Sequence, residues 1–376
     1  MFSELLFRGL APRPTSLYDI FMSFTRCDRH LIPQKLLRWY SFHKRDLPWR
    51  RTDDPYKIWI SEIMLQQTQV ATVIPYYQRW TRHFPTLASL ARARSSEVLR
   101  YWAGLGYYRR ARMLHRAAIL IQKALKGKIP RTAEALRTLP GIGRYTAGAI
   151  ASIAFGEKTP VLDGNVIRIL TRIFGVKQSV DRPSTLDKLW ELAASLLPEN
   201  APGDMNQALM ELGATLCFPG NPKCPQCPVR TLCVAHKKKK ESFFPVRSKK
   251  ERYEKIKMAA LVLQDDKGKV WIEKQREHDR WGGLWMFPFW ESKKGMFKEI
   301  GKDLRRRTTL LLTLRHAYTR YRITLEVYKA QIPERDGRFR SLKRRHGRWV
   351  SVRKTGSLAF PAPHRRIAAS LLAENL

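Results

Sequence analysis

Leu139-Pro140-Gly141-Ile142-Gly143-Arg144-Tyr145-Thr146-Ala147, an apolar helical run, and then Val161-Leu162-Asp163-Gly164-Asn165-Val166 form the stretch around which this 376-residue chain is organised. Pro140 and the two glycines predict a tight loop between two helices. Lacking a Cβ, Gly141 and Gly143 can turn their backbone N–H groups outward and let a ligand approach closely. The next helix opens directly behind them, so its positive N-terminal end faces the same place, and a backbone phosphate suits that spot. Asp163 then follows an apolar run and precedes glycine, which sets one carboxylate near the anchored strand. A phosphate grip beside a lone acid is the outline of an enzyme that works on DNA.

Composition agrees with a polyanion partner. Lys+Arg number 71 against 32 Asp+Glu, a formal charge of +39, while the hydrophobic content of 44% is ordinary for a globular chain. A general solubility bias or attraction to a membrane surface are the blander readings of that charge. No apolar run approaches the length of a membrane span, so no membrane is expected. The length suffices for two domains with separate cores. Residues 1–32 contain no clean apolar segment or cleavage site and read as a disordered leader, with a cytoplasmic location expected.

From Pro33 the apolar spacing is helical, and residues 33–234 read as all-α. Leu47-Pro48-Trp49-Arg50-Arg51 offers an aromatic face and a forked cation, either as a core cap or as part of a base pocket. In Trp59-Ile60-Ser61-Glu62-Ile63-Met64-Leu65-Gln66-Gln67-Thr68, Ser61 and Glu62 are expected at the start of a helix. Glu62 there would be a solvated first-turn acid or a catalytic group at the edge of a buried face. Gln66, Gln67 and Thr68 would be inert surface or would enter a duplex stack and bond to orphaned bases. Trp102-Ala103-Gly104-Leu105-Gly106-Tyr107-Tyr108-Arg109-Arg110-Ala111-Arg112 breaks a helix and presents aromatics among cations. That pattern fits stacking plus phosphate contact, or a core tyrosine pair with a solvated basic face.

Cys217, Cys224, Cys227 and Cys233 are spaced C-x6-C-x2-C-x5-C among four prolines. Four crowded thiolates repel one another unless a cation sits among them. Zinc usually takes two close pairs, so one pair flanked by wider gaps favours a cubane iron–sulfur cluster over zinc. Such crowding suits a reducing compartment and not a disulfide framework.

The segments SEIMLQQTQV, GLGYYRRAR, LPGIGRYTAG, VLDGNV and the cysteine loop occur together and in order. With them the chain resembles the MutY-type A/G-specific adenine DNA glycosylases, of the helix-hairpin-helix, iron–sulfur DNA glycosylase superfamily. The resemblance implies an all-α helix-hairpin-helix glycosylase domain (hairpin 139–147, iron–sulfur loop 217–233) holding one [4Fe-4S] cluster, then a smaller α/β Nudix-like domain. It implies that Glu62 is the general acid that protonates adenine at N7, and that Asp163, remaining ionised, stabilises the sugar cation or bonds to it transiently and guides water, with Tyr145 bonding nearby. Endonuclease III, a near relative, carries a nucleophilic lysine where this chain has Tyr145. A phenol cannot form a Schiff base, so a monofunctional glycosylase is expected. Trp49, Arg50, Leu65 and Gln207 correspond to the adenine pocket. Gln67 and Tyr107 correspond to residues that fill or wedge the duplex, and Thr68, Gly141, Gly143 and Asn165 to DNA contacts. The implied partner is duplex DNA with an adenine:8-oxoguanine or adenine:guanine mispair, bound by a monomer.

Residues 235–255, with four consecutive lysines from Lys237 to Lys240, read as a flexible basic linker. Beyond it, from 256 to 376, Ile256–Leu263 and Val270–Ile272 read as strands around an Asp-rich turn, and Trp281–Pro288 resembles the family's C-terminal Nudix-like module. The acidic metal helix of Nudix hydrolases is missing between Phe297 and Arg307, so pyrophosphate hydrolysis is not expected. The family's 8-oxoguanine-sensing Phe-Ser-His turn corresponds to Tyr318-Thr319-Arg320, where arginine replaces histidine.

Overall fold

The computed structural model describes residues 26–248, 253–277, 279, 281–318, 320–332 and 346–374. Helix α1 spans Arg26–His43, so it opens well before Pro33. Ile32 is fully buried, and that anchor explains why the end of the expected leader is helical; residues 1–25 lie outside the described residues. The helices that follow are α2 (Pro55–Leu65), α3 (Val70–His83), α4 (Leu87–Arg92), α5 (Ser95–Trp102), α6 (Arg109–Ala124), α7 (Ala133–Leu136) and α8 (Arg144–Phe155). Then come α9 (Gly164–Phe174), α10 (Pro183–Ser195), α11 (Pro202–Thr215) and α12 (Val234–Lys237). Among the described residues before Tyr253 there is no strand.

The chain divides into two compact units. The first takes the described residues up to Trp59, Pro130–Thr138 and those from Ile142 to Ser248; the second takes Ile60–Ile129, Leu139–Gly141 and those from Tyr253 onward. The boundary therefore does not follow the linker: α3 to α6 belong with the C-terminal sheet. In the first unit, Leu36 and Tyr40 of α1, Val166 and Leu170 of α9, and Leu209 and Leu212 of α11 share one core. Helix α11 packs against α1, α8 and α9.

The expected linker is ordered through Ser248. Ala235 and Phe244 are buried in the first core, the Val180 N–H donates to Val246 O, and the Ser248 N–H donates to Asp181 Oδ2 at 2.7 Å. The lysine run suggested a loose tether, but apolar side chains on both sides of it seat the segment.

The second unit carries a seven-stranded mixed sheet: β1 (Glu254–Gln264), β2 (Lys269–Lys274), β3 (Trp285–Met286), β4 (Phe289–Trp290), β5 (Thr309–Tyr318), β6 (Tyr321–Gln331) and β7 (Gly347–Ser351). The main path runs β3-β2-β1-β6-β5, with β4 beside β1 and β7 beside β2. Among the described residues only β1 and β6 pair in parallel, from Glu254 opposite Tyr321 to Gln264 opposite Gln331. Ala259, Leu261 and Leu263 face α13 (Lys293–Arg306), while Ala260 and Val262 face α15 (Ala362–Ala373), which follows the short α14 (Val352–Thr355). Burial on both faces is why β1 reads as an unbroken apolar run from Met258 to Leu263. His364 of α15 lies inside this core, accepting the Phe287 N–H at Nδ1 (3.1 Å) and stacked on that ring; burial pushes its pKa down to about 3.

Candidate active site

Asp163 closes the N-terminus of α9. Its Oδ1 accepts the Val166 N–H at 2.7 Å and its Oδ2 accepts the Asn165 amide at 3.0 Å, so the carboxylate is fixed by the start of the helix that follows it. Burial raises its pKa above the usual carboxylate range, and the Val166 and Asn165 donors pull part of that back. The other end of Asn165 accepts Arg168 Nη2 at 2.8 Å. Arg168 continues to the carbonyls of Gly213 (2.9 Å) and Cys217 (2.8 Å). Asn165 thus bridges Asp163 to Arg168 inside the protein, a structural role for a residue expected at the DNA.

Helix α11 gathers other predicted residues of the first unit on one face. Gln207, Met210 and Glu211 are three and four positions apart, which stacks them along a helix side. The Tyr145 hydroxyl donates to Met210 Sδ at 3.2 Å. Glu211, its side chain fully enclosed, accepts Arg50 Nη2 at 2.8 Å and Arg45 Nε at 2.7 Å. Burial alone would raise the Glu211 pKa, but the two arginines overcome it and hold the carboxyl down to about 2. Arg50 also caps the Tyr40 ring at 5.4 Å, so its guanidinium is engaged in a structural ion pair. Trp49, beside it in the short helix Pro48–Arg50, is buried.

In the second unit Glu62 is not a first-turn residue. Helix α2 starts at Pro55, where the Asp54 carboxylate accepts the Tyr56 N–H (2.9 Å), so Glu62 sits in the last turn before Leu65. It is 6% exposed.

Gln67 and Tyr107, the expected insertion residues, both adopt left-handed backbone conformations, φ +57° and +48°. Such conformations in non-glycine residues must be held by their surroundings. Arg110 does much of the holding. Its Nη1 donates to the carbonyls of Ile63 (2.6 Å) and Gln66 (2.5 Å), and its Nη2 to Gly106 O (3.3 Å) and Thr68 Oγ1 (3.5 Å). Burial lowers its pKa to about 10. Of the three arginines in this segment, Arg110 and Arg112 bond to backbone within the protein, and Arg109 is exposed. The Tyr108 side chain is buried.

At the hairpin, Gly141 has φ +80° and a Cβ there would lie 2.5 Å from Met113 Cβ, whereas a Cβ on Gly143 would meet open space. Gly143 is the cap residue of α8, and no side chain caps that N-terminus. The start of α8 at Gly143 thus has room for an anion.

The four cysteines form no disulfide and line one pocket with Ile169, Arg172 and Leu212. Burial pushes Cys224 up to about 11 and Cys227 up to about 12, with the neighbouring thiols and Glu241 adding to the rise at Cys224. Four thiols lining one pocket offer soft ligands to a bound cation, whose charge makes thiolates favourable. Arg172, 2% exposed, donates to Cys217 Sγ (3.2 Å) and to the carbonyls of Phe218 and Pro219, so a buried cation already borders the group. Cys224, His236 and Glu241 lie close enough to form a second donor set at its edge.

In the C-terminal domain, Tyr318 ends β5 and Arg320 pairs with Glu254 at 3.0 Å; Thr319 and the Tyr318 side chain lie outside the described residues. On α13, Glu299 accepts the Trp290 indole N–H at 2.7 Å, which engages one of the two acids of that helix. Among the described residues no helix is long and apolar enough to cross a membrane. Sequence reading missed Glu211, Arg110 and Arg168 as organising residues. The available signal was charge at positions that helical periodicity places on buried faces.

Residues 60–195 match the family described as HhH-GPD superfamily base excision DNA repair protein, and residues 259–370 match the NUDIX domain. The adenine DNA glycosylase of the Buchnera aphidicola strain from Schizaphis graminum is 33% identical over 342 residues, covering 90% of this chain and 98% of that protein. The human adenine DNA glycosylase is 54% identical over 214 residues (54% of this chain, 39% of the human protein), and the rat protein 49% over 238 residues (61% and 46%). The chain thus spans less than half the length of those two mammalian relatives. Among solved structures, a thermostable thymine-DNA glycosylase aligns with TM-score 0.52 and 31% identity over 56% of this chain and 98% of its own. An endonuclease III–DNA covalent intermediate, 21% identical with TM-score 0.50, shares the helical fold over 57% of this chain and 99% of its own. With a bacterial relative matched along nearly its whole length, and both domains recognised in that order, this chain belongs to the adenine DNA glycosylase family.

Proposed function

We propose that this chain is a monofunctional DNA glycosylase that hydrolyses the bond between deoxyribose and an adenine mispaired with 8-oxoguanine or guanine. It acts as a monomer and leaves an abasic site in an uncut strand. The observation that carries the reading is Glu62, a carboxyl group only 6% exposed in the last turn of α2. Glu62 gives a proton to N7 of the extruded adenine, and the C1′–N9 bond breaks with its electron pair leaving on the base. Asp163, pre-set by the Val166 N–H, faces the positive charge that develops on the sugar. Water then adds to C1′ and loses its proton to Asp163. Extrusion of the base costs a few kcal/mol, less at a mispair, and Gln67 and Tyr107 occupy the space it leaves.

The four cysteines would hold one [4Fe-4S] cluster, whose contribution is structural: it fixes the loop that carries Lys223 and Arg230 for phosphate contact. The test is single-turnover excision on an adenine:8-oxoguanine duplex. Glu62→Gln is expected to bind that duplex and fail to release adenine; normal release by this variant would refute the assignment.

A further inference from the structure

The loop between α5 and α6 joins Trp102 to Arg109 through an unusual backbone: Gly104 at φ +108°, Gly106 at +75° and Tyr107 at +48°. Within the second unit, this loop is tied directly to the C-terminal domain. The Tyr108 hydroxyl, on a side chain 5% exposed, accepts the Gly104 N–H and donates to Phe360 O, both at 3.1 Å. Arg365 of α15 donates through Nη1 to Ala103 O at 3.0 Å. Arg112 donates through Nη1 to Gly282 O at 2.7 Å. A Cβ on Gly104 would lie 2.5 Å from Arg365 Nη1 and 2.2 Å from the Tyr76 hydroxyl, so the backbone there is pressed against its braces. Burial pushes the Tyr108 pKa up to about 12, so the hydroxyl keeps the proton it donates. From the same loop, Arg110 links Gly106 O to the Ile63 and Gln66 carbonyls, at the end of α2.

We propose that the C-terminal domain sets the position of the Tyr107 loop for base extrusion, with Tyr108 and Arg365 as positioning residues. The proposal rests on the reading that Tyr107 enters the duplex. Arg365 meets loop backbone at Ala103, and Tyr108 ties the Gly104 N–H to Phe360 O, in the segment where the conformation is least favourable on its own, so they fix where Tyr107 stands. Removal of either brace leaves the apolar packing of both domains in place and frees the loop to relax toward ordinary conformations.

The experiment uses the full chain with Tyr108→Phe, Arg365→Ala, Arg365→Lys and the double variant Tyr108→Phe/Arg365→Ala. Arg365 is exposed, so its variants fold even if Tyr108→Phe does not. Amide hydrogen exchange over residues 102–108 is expected to rise in Tyr108→Phe and Arg365→Ala. Single-turnover excision from an adenine:8-oxoguanine duplex is expected to slow about tenfold, with the DNA dissociation constant within about twofold of the unaltered chain. Arg365→Lys is expected to recover part of the rate. The double variant is expected to be slower than either single by less than the product of their effects, because both hold one loop. Excision by the unaltered chain and by Arg365→Ala at the same rate overturns the brace alone, whatever happens to exchange. Weakened DNA binding with an unchanged rate of excision at saturation also overturns it. No excision by the unaltered chain overturns the glycosylase reading, and this proposal with it.

Discussion

Asp163→Asn separates the charge of the acid from its place in the fold. At an effective dielectric of about 20, a carboxylate about 4 Å from a developing sugar cation is worth about 4 kcal/mol. Its loss therefore corresponds to about a 10³-fold slower bond cleavage. The structural cost is much smaller. Asparagine caps helices as well as aspartate, so the bond from the Val166 N–H survives. The bond lost is the one from the Asn165 amide, because the new amide meets it donor to donor. Loss of one such hydrogen bond costs about 1 kcal/mol, or about 2–4 °C in melting temperature for a unit of this size. Part is returned, because burial holds the Asp163 pKa above its unfolded value, so its ionisation at neutral pH opposes folding. Stability from this group rises as pH falls through the folded pKa, whereas activity, which needs the anion, falls over the same interval. Single-turnover excision measured by alkaline cleavage at the abasic site, alongside thermal melting, reads both quantities. Excision within about tenfold of the unaltered chain, in a folded variant, would refute the role given to the charge.

Tyr145→Lys is expected to gain some strand cleavage and a borohydride-trapped adduct with DNA; no adduct in a folded, DNA-binding variant counts against the alignment of this position with a nucleophilic lysine. The Glu211 carboxyl, held near 2 against an ordinary 4.5, contributes about 3 kcal/mol at neutral pH. That contribution is complete above pH 4.5 and is lost as pH falls toward 2, so Arg50→Ala should lower the melting temperature at pH 7 and have little effect at pH 2. Equal effects at both pH values would exclude the ion pair as the source. Cys227→Ser is expected to lose visible absorption and bound iron, read by iron and sulfide counts, and an unchanged iron content would remove this thiol from the ligand set.

The four-cysteine spacing, the glycine-lined hairpin and the two-domain order were legible because each is local: neighbours in sequence decide them. Glu62 was misplaced within its helix although the start signal was present, an Asp54 cap followed by Pro55 in the first turn. The roles of the arginines were not legible. Arg50 finds its partner 161 residues away, and Arg110 bonds to carbonyls 44 to 47 residues away that carry no side-chain signature. Their chemistry suits phosphate equally well, and only the fold decides which cations are already engaged. The linker shows the converse error. Its lysines dominate the composition, while Phe244 and Val246 decide where the backbone goes.

His364 gives the molecule a characteristic response to acid. Its neutral ring is the acceptor for a main-chain donor in the heart of the sheet domain, and protonation removes that acceptor. Below pH 6.5 the unfolded chain takes up a proton the native core refuses, so that domain loses about 1.4 kcal/mol for each further pH unit until its own pKa near 3. The helical unit begins to lose its Glu211 anchor only below pH 4.5. Mild acidification therefore weakens the bond that His364 accepts inside the sheet before it weakens the ion pairs on Glu211.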